Sequence, residues 1–344
     1  MQQKIVLDRR DTAWLKGIAI CLIFLHNFCH WLPRCVSENE YTFHIENTYR
    51  LVRYVEAGGP HLLLNLFSYF GHYGVPVFLF LSGYGLVRKY ERPETERLAL
   101  VPFMKHNALK LWRLMAGGVA LFILSDTFRR GEWVHGWDNV AYLFAFVSNF
   151  IPGRDLLLGP WWFFSLIMQC YLLYALCFYR RGGAWLAGAC VLSLTVLTVV
   201  VSGLDTPHQD VLDYLRYNAV GCLLPFAFGI SAARYGLNLP LWTMPLSVLL
   251  LVAGGFHVYL WLLTPVFAVT AVLPLTAVRQ RHVRRAGEWL GHISAALFVL
   301  HPVVRPYFVD LARRGSVYPA LAGYVLVSLL LAWGYARMLA QTKN

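Results

Sequence analysis

Along this chain, apolar stretches of about 18 to 22 residues alternate with short clusters of charged and turn residues, the repeat that a bilayer's thickness imposes on helices rising about 1.5 Å per residue. The pattern predicts spanning helices near residues 14-32, 64-87, 107-125, 159-179, 184-202, 214-233, 241-256, 258-278, 289-308 and 318-337. A further apolar stretch at 139-151 is too short to cross and is predicted to be re-entrant or interfacial. The expected fold is all-α: a polytopic transmembrane helical bundle of about ten spans. It forms one membrane domain over residues 1-344, with no internal repeat, low-complexity tract or second soluble domain.

Composition agrees, since 58% of residues are hydrophobic and only 14% charged, far from the roughly quarter-charged make-up of soluble domains. Orientation follows from the basic residues. With the N-terminus inside, roughly twenty of the thirty Lys and Arg residues fall on cytosolic segments. Among them are Arg9, Arg10, Arg88, Lys89, Arg180, Arg181, Arg279, Arg281, Arg284 and Arg285. Residues 1-13 and 338-344 are then cytosolic, and 33-61 is an outer loop. Glu38, Glu40, Glu46, Asp138, Asp205 and Asp210 also fall outside. The net charge of +12 thus belongs to the inner face, and topology explains it without a nucleic-acid partner. Met1 to Asp11 carries no cleavable apolar core, so the first span is expected to stay as an anchor. The seven cysteines lack CxxC spacing, which argues against zinc or redox motifs. Cys29 and Cys35 either meet near the outer face or serve as small apolar residues.

Polar side chains inside hydrocarbon are costly, so they are the first place to look for function. The first span is the richest, with Lys16 at its cytosolic start and His26, Asn27 and His30 in its outer half. Ten residues put Lys16 and His26 about 15 Å apart along the axis. His26 and His30 share a face, with Asn27 beside His30. One reading is a neutral imidazole bridging helices; the other is a base, since imidazole titrates near neutrality and can take a proton from an alcohol. No third ligand of matching type is near in sequence, so no metal is expected. In the outer loop, Glu38 and Glu40 stand among aromatics, a combination suited to sugar hydroxyls and ring faces but also to any exposed loop. His72, beside Gly71 and Gly74 near the outer face, is a further candidate for substrate binding.

Lys16-Gly-Ile-Ala-Ile running into His26 resembles the opening helix of the acyltransferase 3 family of membrane acyltransferases. Four further stretches fall in that family's order. Pro76 to Leu86, containing Ser82-Gly83-Tyr84, resembles its "FFxxSGY/F" signature, and Phe103 to Arg113 its cytosolic Arg-x-x-Arg element. Trp161-Trp162-Phe-Phe-Ser165 through Tyr171 is similar to its "WFL...Y" helix, and Gly291 through His301 to its "GxxS...YLxH" helix. The chain departs from the pattern in three ways. The family's ten-residue gap counted from Lys16 lands on Asn27, one past His26; the basic positions read Lys16 and Lys110-x-x-Arg113; and no C-terminal esterase-like extension follows.

The resemblance implies acetyl-CoA or another acyl-CoA as co-substrate, entering a cationic inner mouth of Lys16, Lys110, Arg113 and Arg88. It implies transfer to a hydroxyl of a cell-envelope glycan or lipid-linked sugar at the bacterial inner membrane. His26 is expected to act as base, directly or through an acyl-histidine, with Asn27 or His30 orienting the ring or meeting the oxyanion. Ser82 and Tyr84 are read as helix packing or channel lining. Trp162 is read as part of an interfacial belt or a sugar-stacking surface, and His301 as functional or helix-bridging. The rival class is a proton-coupled transporter or flippase, against which no inverted repeat is visible.

Overall fold

The computed structural model describes residues 6-59, 61-151, 157-203 and 209-341, so Asp205 and the extreme ends lie outside the described residues. Within them every regular element is helical. Helix α1 (Arg9–Cys29) begins where the Asp8 carboxylate accepts the Asp11 N–H and the Asp11 carboxylate accepts the Asp8 N–H, a reciprocal cap. A loop carrying the short helix α2 (Ile45–Glu56) follows. Helices α3 (Leu62–Phe70) and α4 (Gly74–Tyr90) join through a 3₁₀ turn at Gly71–Tyr73 into one apolar run of 29 residues. Helix α5 (Leu100–Arg130) stops at Gly131, whose φ of 85° favours a residue without Cβ. The stretch predicted to be too short to cross forms α6 (Trp137–Phe144) and a turn at Ser148–Phe150.

Helix α7 (Trp162–Leu173) continues into a π-helical turn, and α8 (Gly183–Ser202) returns. Then come α9 (Gln209–Tyr217), α10 (Ala219–Tyr235), α11 (Thr243–Gly254), the single turn α12 (Val258–Trp261) and α13 (Thr264–Val272). The long α14 (Arg281–Arg313) and α15 (Val317–Gln341) complete the fold.

Among the described residues, seven helical runs are long and apolar enough to cross a membrane. The predicted spans at 214-233, 241-256 and 258-278 are helical but shorter: α10 has 17 residues, and α11 has 12. At about 1.5 Å per residue these reach roughly 18 to 26 Å, short of a hydrocarbon core of about 30 Å. The chain nevertheless alternates between two faces. On the face near the termini, Arg284 bonds Asp11 and Glu288, and Arg234 bonds Glu91 at 2.6 Å. On the opposite face, here the loop face, Trp261 Nε1 donates to the Asn39 carbonyl at 2.7 Å and Arg313 to the Trp31 carbonyl at 3.2 Å.

Burial sorts the crossing helices into an inner and an outer set. The apolar windows of α1, α3–α4, α7 and α14 are 56 to 67% buried, whereas those of α5, α8 and α15 are 22 to 28% buried. The outer helices present Phe128, Leu192 and Leu326 outward, an apolar surface that lipid and not water can cover. The inner helices approach closely through small residues. A Cβ on Gly291 of α14 would overlap the Ala13 carbonyl of α1, and one on Gly83 of α4 would overlap the Phe226 carbonyl of α10. Gly83 of the Ser-Gly-Tyr signature therefore serves helix packing. The signature's serine donates to the Phe78 carbonyl of its own helix at 2.8 Å.

Candidate active site

Ser68 on α3 connects α1 to the outer loop. Its Oγ donates to the Val36 carbonyl at 2.6 Å, and its own carbonyl accepts the His26 Nδ1–H at 2.9 Å. A carbonyl only accepts, so the neutral imidazole holds its proton on Nδ1 and keeps the Nε2 lone pair bare. The ring is 5% exposed. Gly71 makes this approach possible, because a Cβ there would come within 2.5 Å of the His26 Cβ and 2.6 Å of the Leu22 carbonyl.

The loop after α1 is pinned by its backbone, which turns its carboxylates inward. Asn65 Oδ1 accepts the Val36 N–H, and Asn47 Nδ2 donates to the Glu38 carbonyl, each at 2.9 Å. Arg216 donates to the Glu40 carbonyl through Nε at 3.2 Å and Nη2 at 2.9 Å, while its plane lies 4.6 Å over Trp261. As a result Glu40 Oε2 stands 4.0 Å from His26 Nε2, and Glu38 Oε2 2.5 Å from His30 Nδ1. Burial pushes the Glu38 carboxyl up, but its bond to His30 and the nearby His26, His30 and His72 rings outweigh that and hold it at about 2. Glu40 behaves oppositely: burial first, then the Glu38 charge, push it up to about 8 against the bond from Tyr41 and the charge of Arg216.

These groups line a cavity of about 220 Å³. Its walls include Ile23, His26, Asn27, His30, Glu38, Glu40 and His72, with Trp162, Phe163, Tyr217, Phe298 and Arg305. Tyr41 stacks on Tyr217 at 4.0 Å, and Trp162 meets both edge-on, giving an aromatic wall. His72 stands 5.7 Å from His26 ring to ring, and neither of its ring nitrogens has a hydrogen-bond partner. Buried polar atoms left in this way are uncommon, and the ring lines the cavity.

The structure brings together His26, Asn27, His30, Glu38, Glu40, His72 and Trp162, and several sequence expectations need correction. Neither Asn27 nor His30 bonds the His26 ring: Asn27 donates to the Ile23 carbonyl and accepts from Arg305 at 3.1 Å, while His30 is engaged by Glu38. The Ser68 carbonyl, remote in sequence, is the orienting group. Trp161 and Trp162 are not an interfacial belt but are buried, with Trp161 donating to the Val299 carbonyl at 3.2 Å. Ser82 lies off the cavity, as does Tyr84, whose hydroxyl accepts the Leu7 N–H at 3.0 Å and tethers the N-terminal segment on the other face. His301 is fully buried just behind the site, donating Nδ1–H to the Leu297 carbonyl with its edges on Phe24 and Phe298.

The missing third metal ligand also proves present. Ligand atoms of His26, His30 and Glu38 lie within 4.8 Å of one another. His30 Nδ1 and Glu38 Oε2 stand 2.5 Å apart, an ion-pair contact. It is too close for neighbouring ligands of a tetrahedral ion with bonds of about 2.0 to 2.2 Å, which stand about 3.3 Å apart. As arranged, the cluster sets His30 in close ion-pair contact with Glu38 and His26 4.0 Å from Glu40. Cys29 and Cys35 are free thiols.

Lys16, Lys110, Arg113 and Arg88 lie toward the opposite face and do not line the cavity. Lys16 and Lys110 are close enough for their charges to interact. Ile23 and the Phe163–Phe298 pair, whose ring centroids are 5.4 Å apart, also line the cavity. Arg305, 7% exposed and unremarked in the sequence reading, is the main surprise. Its position as a lone arginine inside the apolar run 289-308 is the sequence signal by which it can be found.

No curated protein and no solved structure matches this chain. A family model described as an acyltransferase domain does match, over residues 11–337. That match covers nearly the whole chain, which thus belongs to the acyltransferase 3 family of membrane acyltransferases.

Proposed function

We propose that this membrane acyltransferase moves an acyl group, acetyl in the simplest case, from cytosolic acyl-CoA to a hydroxyl of an envelope glycan or lipid-linked sugar. The observation that carries the reading is the bond from His26 Nδ1 to Ser68, which leaves Nε2 bare toward a cavity open to the loop face. The acceptor hydroxyl gives its proton to Nε2 as its oxygen attacks the thioester carbonyl. The carbon–sulfur bond then breaks, and the imidazolium returns the proton to the departing thiolate, giving the ester and free CoA. While charged, the imidazolium stands 4.0 Å from Glu40. Supporting the acceptor role of the loop face are the carboxylates Glu38 and Glu40, the unpartnered His72 and the Trp162–Tyr217 wall. Supporting the donor role of the other face are Lys16, Lys110, Arg113 and Arg88, cations that suit the three phosphates of CoA. The thioester would reach His26 past the Phe163–Phe298 pair, whose contacting rings must part to admit it.

Labelled acetyl-CoA incubated with purified protein and envelope glycan tests this directly. His26→Gln is expected to cut transfer by about 10² to 10⁴, with the protein still folded and still stabilised thermally by acetyl-CoA. Undiminished transfer by that variant would reassign the base.

A further inference from the structure

The cavity at His26 shares a wall with a second cavity of about 220 Å³ on the loop face. The shared wall is Arg305 with Trp31. Arg305 lies 4.7 Å over the Trp31 ring and gives one donor to Asn27 Oδ1 at 3.1 Å. A guanidinium has five N–H donors, and among the described residues no carboxylate lies within ion-pair distance of this one. Arg234 has Glu91, and Arg284 has Asp11 and Glu288. Buried Arg216 also lacks a carboxylate partner, but it gives two donors to the Glu40 carbonyl and lies over Trp261 away from the second cavity. A buried cation without a counter-charge is strongly disfavoured unless something supplies one. The second cavity adds Arg129, Arg130 and Arg313, against the carboxylates of Asp126 and Asp310, so its charge is positive even after pairing.

We propose that this shared wall is a subsite for a negatively charged group on the acceptor, a sugar carboxylate or a phosphate, with Arg305 as its principal ligand. The inference rests on the acyltransferase reading and narrows its acceptor from glycans in general to anionic ones. Both groups are planar or tripodal oxyanions that accept two parallel N–H bonds from a guanidinium, which neutral sugar hydroxyls cannot match in charge. Because the same side chain faces both cavities, the charged group sits on, or next to, the sugar whose hydroxyl reaches His26. The rest of the chain extends into the second cavity.

The test compares acetyl transfer from labelled acetyl-CoA to a uronic-acid oligosaccharide, its carboxyl-reduced neutral counterpart, and that neutral counterpart carrying one phosphate. The wild-type protein is expected to favour at least one charged acceptor by about tenfold or more in kcat/KM; which one identifies the anion. Arg305→Gln should erase that preference mainly through KM, Arg305→Lys should keep part of it, and Arg313→Gln should weaken it. Equal use of charged and neutral acceptors by the wild-type protein overturns the proposal. So does a loss in Arg305→Gln that is equal for all acceptors, which would mark a structural or oxyanion role. Thermal stabilisation by acetyl-CoA is followed on the same samples. Its absence, together with absence of transfer to every acceptor, refutes the acyltransferase reading and the subsite with it; its presence with an unselective enzyme refutes the subsite alone.

Discussion

Two buried imidazoles, His26 and His301, each donate Nδ1–H to a backbone carbonyl at 2.9 Å, yet they are set up for different work. His301 bonds its own helix and turns its other nitrogen toward aromatic edges. His26 bonds a neighbouring helix, so the ring is fixed relative to the loop carboxylates, and Nε2 faces space. Glu38 and Glu40 show how two carboxyls two residues apart can be driven in opposite directions, one by a hydrogen-bonded imidazole and the other by burial beside a like charge. The sign of the pH effect follows. Glu40 has its folded value raised from 4.5 to about 8, so the stability it lends is full below pH 4.5 and is lost as pH rises through 8. Glu38 has its folded value lowered to about 2, so its contribution is present above 4.5 and is lost as pH falls toward 2. Glu40→Gln is therefore expected to raise the melting temperature relative to the wild type at pH 8 to 9, with the gap closing toward pH 5. A gap that does not change with pH would mean that Glu40 is not buried near Glu38.

At the scale of elements, the site depends on how closely α3 and its 3₁₀ turn lie on α1. Gly71 is the contact point, because any side chain there meets the His26 Cβ. Gly71→Ala is expected to cost about 1 to 3 kcal/mol of stability through overpacking. It should also lower transfer by about tenfold or more, because an ångström-scale shift of a catalytic group is enough to do so. Gly85→Ala is the control, since nothing lies within 4 Å of a Cβ at that position. Circular dichroism melts and acetyl transfer on the two variants decide the matter: equal effects would remove Gly71 from the site. The motif order read from the sequence holds at this scale, but the reasons differ. Gly83 packs α4 on α10 and Tyr84 ties down Leu7, while Trp162 forms a cavity wall.

At the scale of the whole molecule, an inner set of helices carries the site and an outer set carries the lipid-facing surface. The alternation of faces predicts that α15 brings the chain back to the face on which α1 began. Alkaline phosphatase fused after Gln341 is expected to be inactive, and fused after Gly315 to be active, because the enzyme folds only outside the cytosol. The reverse result would invert the orientation and with it the assignment of the donor and acceptor sides. The helical class and the rough positions of the seven long apolar helices were legible in the sequence. Hydropathy is local, and bilayer thickness converts it directly into helix length. The polar residues stranded in α1 announced themselves for the same reason. What only the tertiary structure decided is which groups surround His26. The orienting carbonyl of Ser68, the inward turn of Glu38 and Glu40 under Asn47, Asn65 and Arg216, and the unpaired charge of Arg305 all join residues dozens to hundreds of positions apart. Such pairings arise from helices packing in three dimensions, a long-range outcome that no local periodicity encodes.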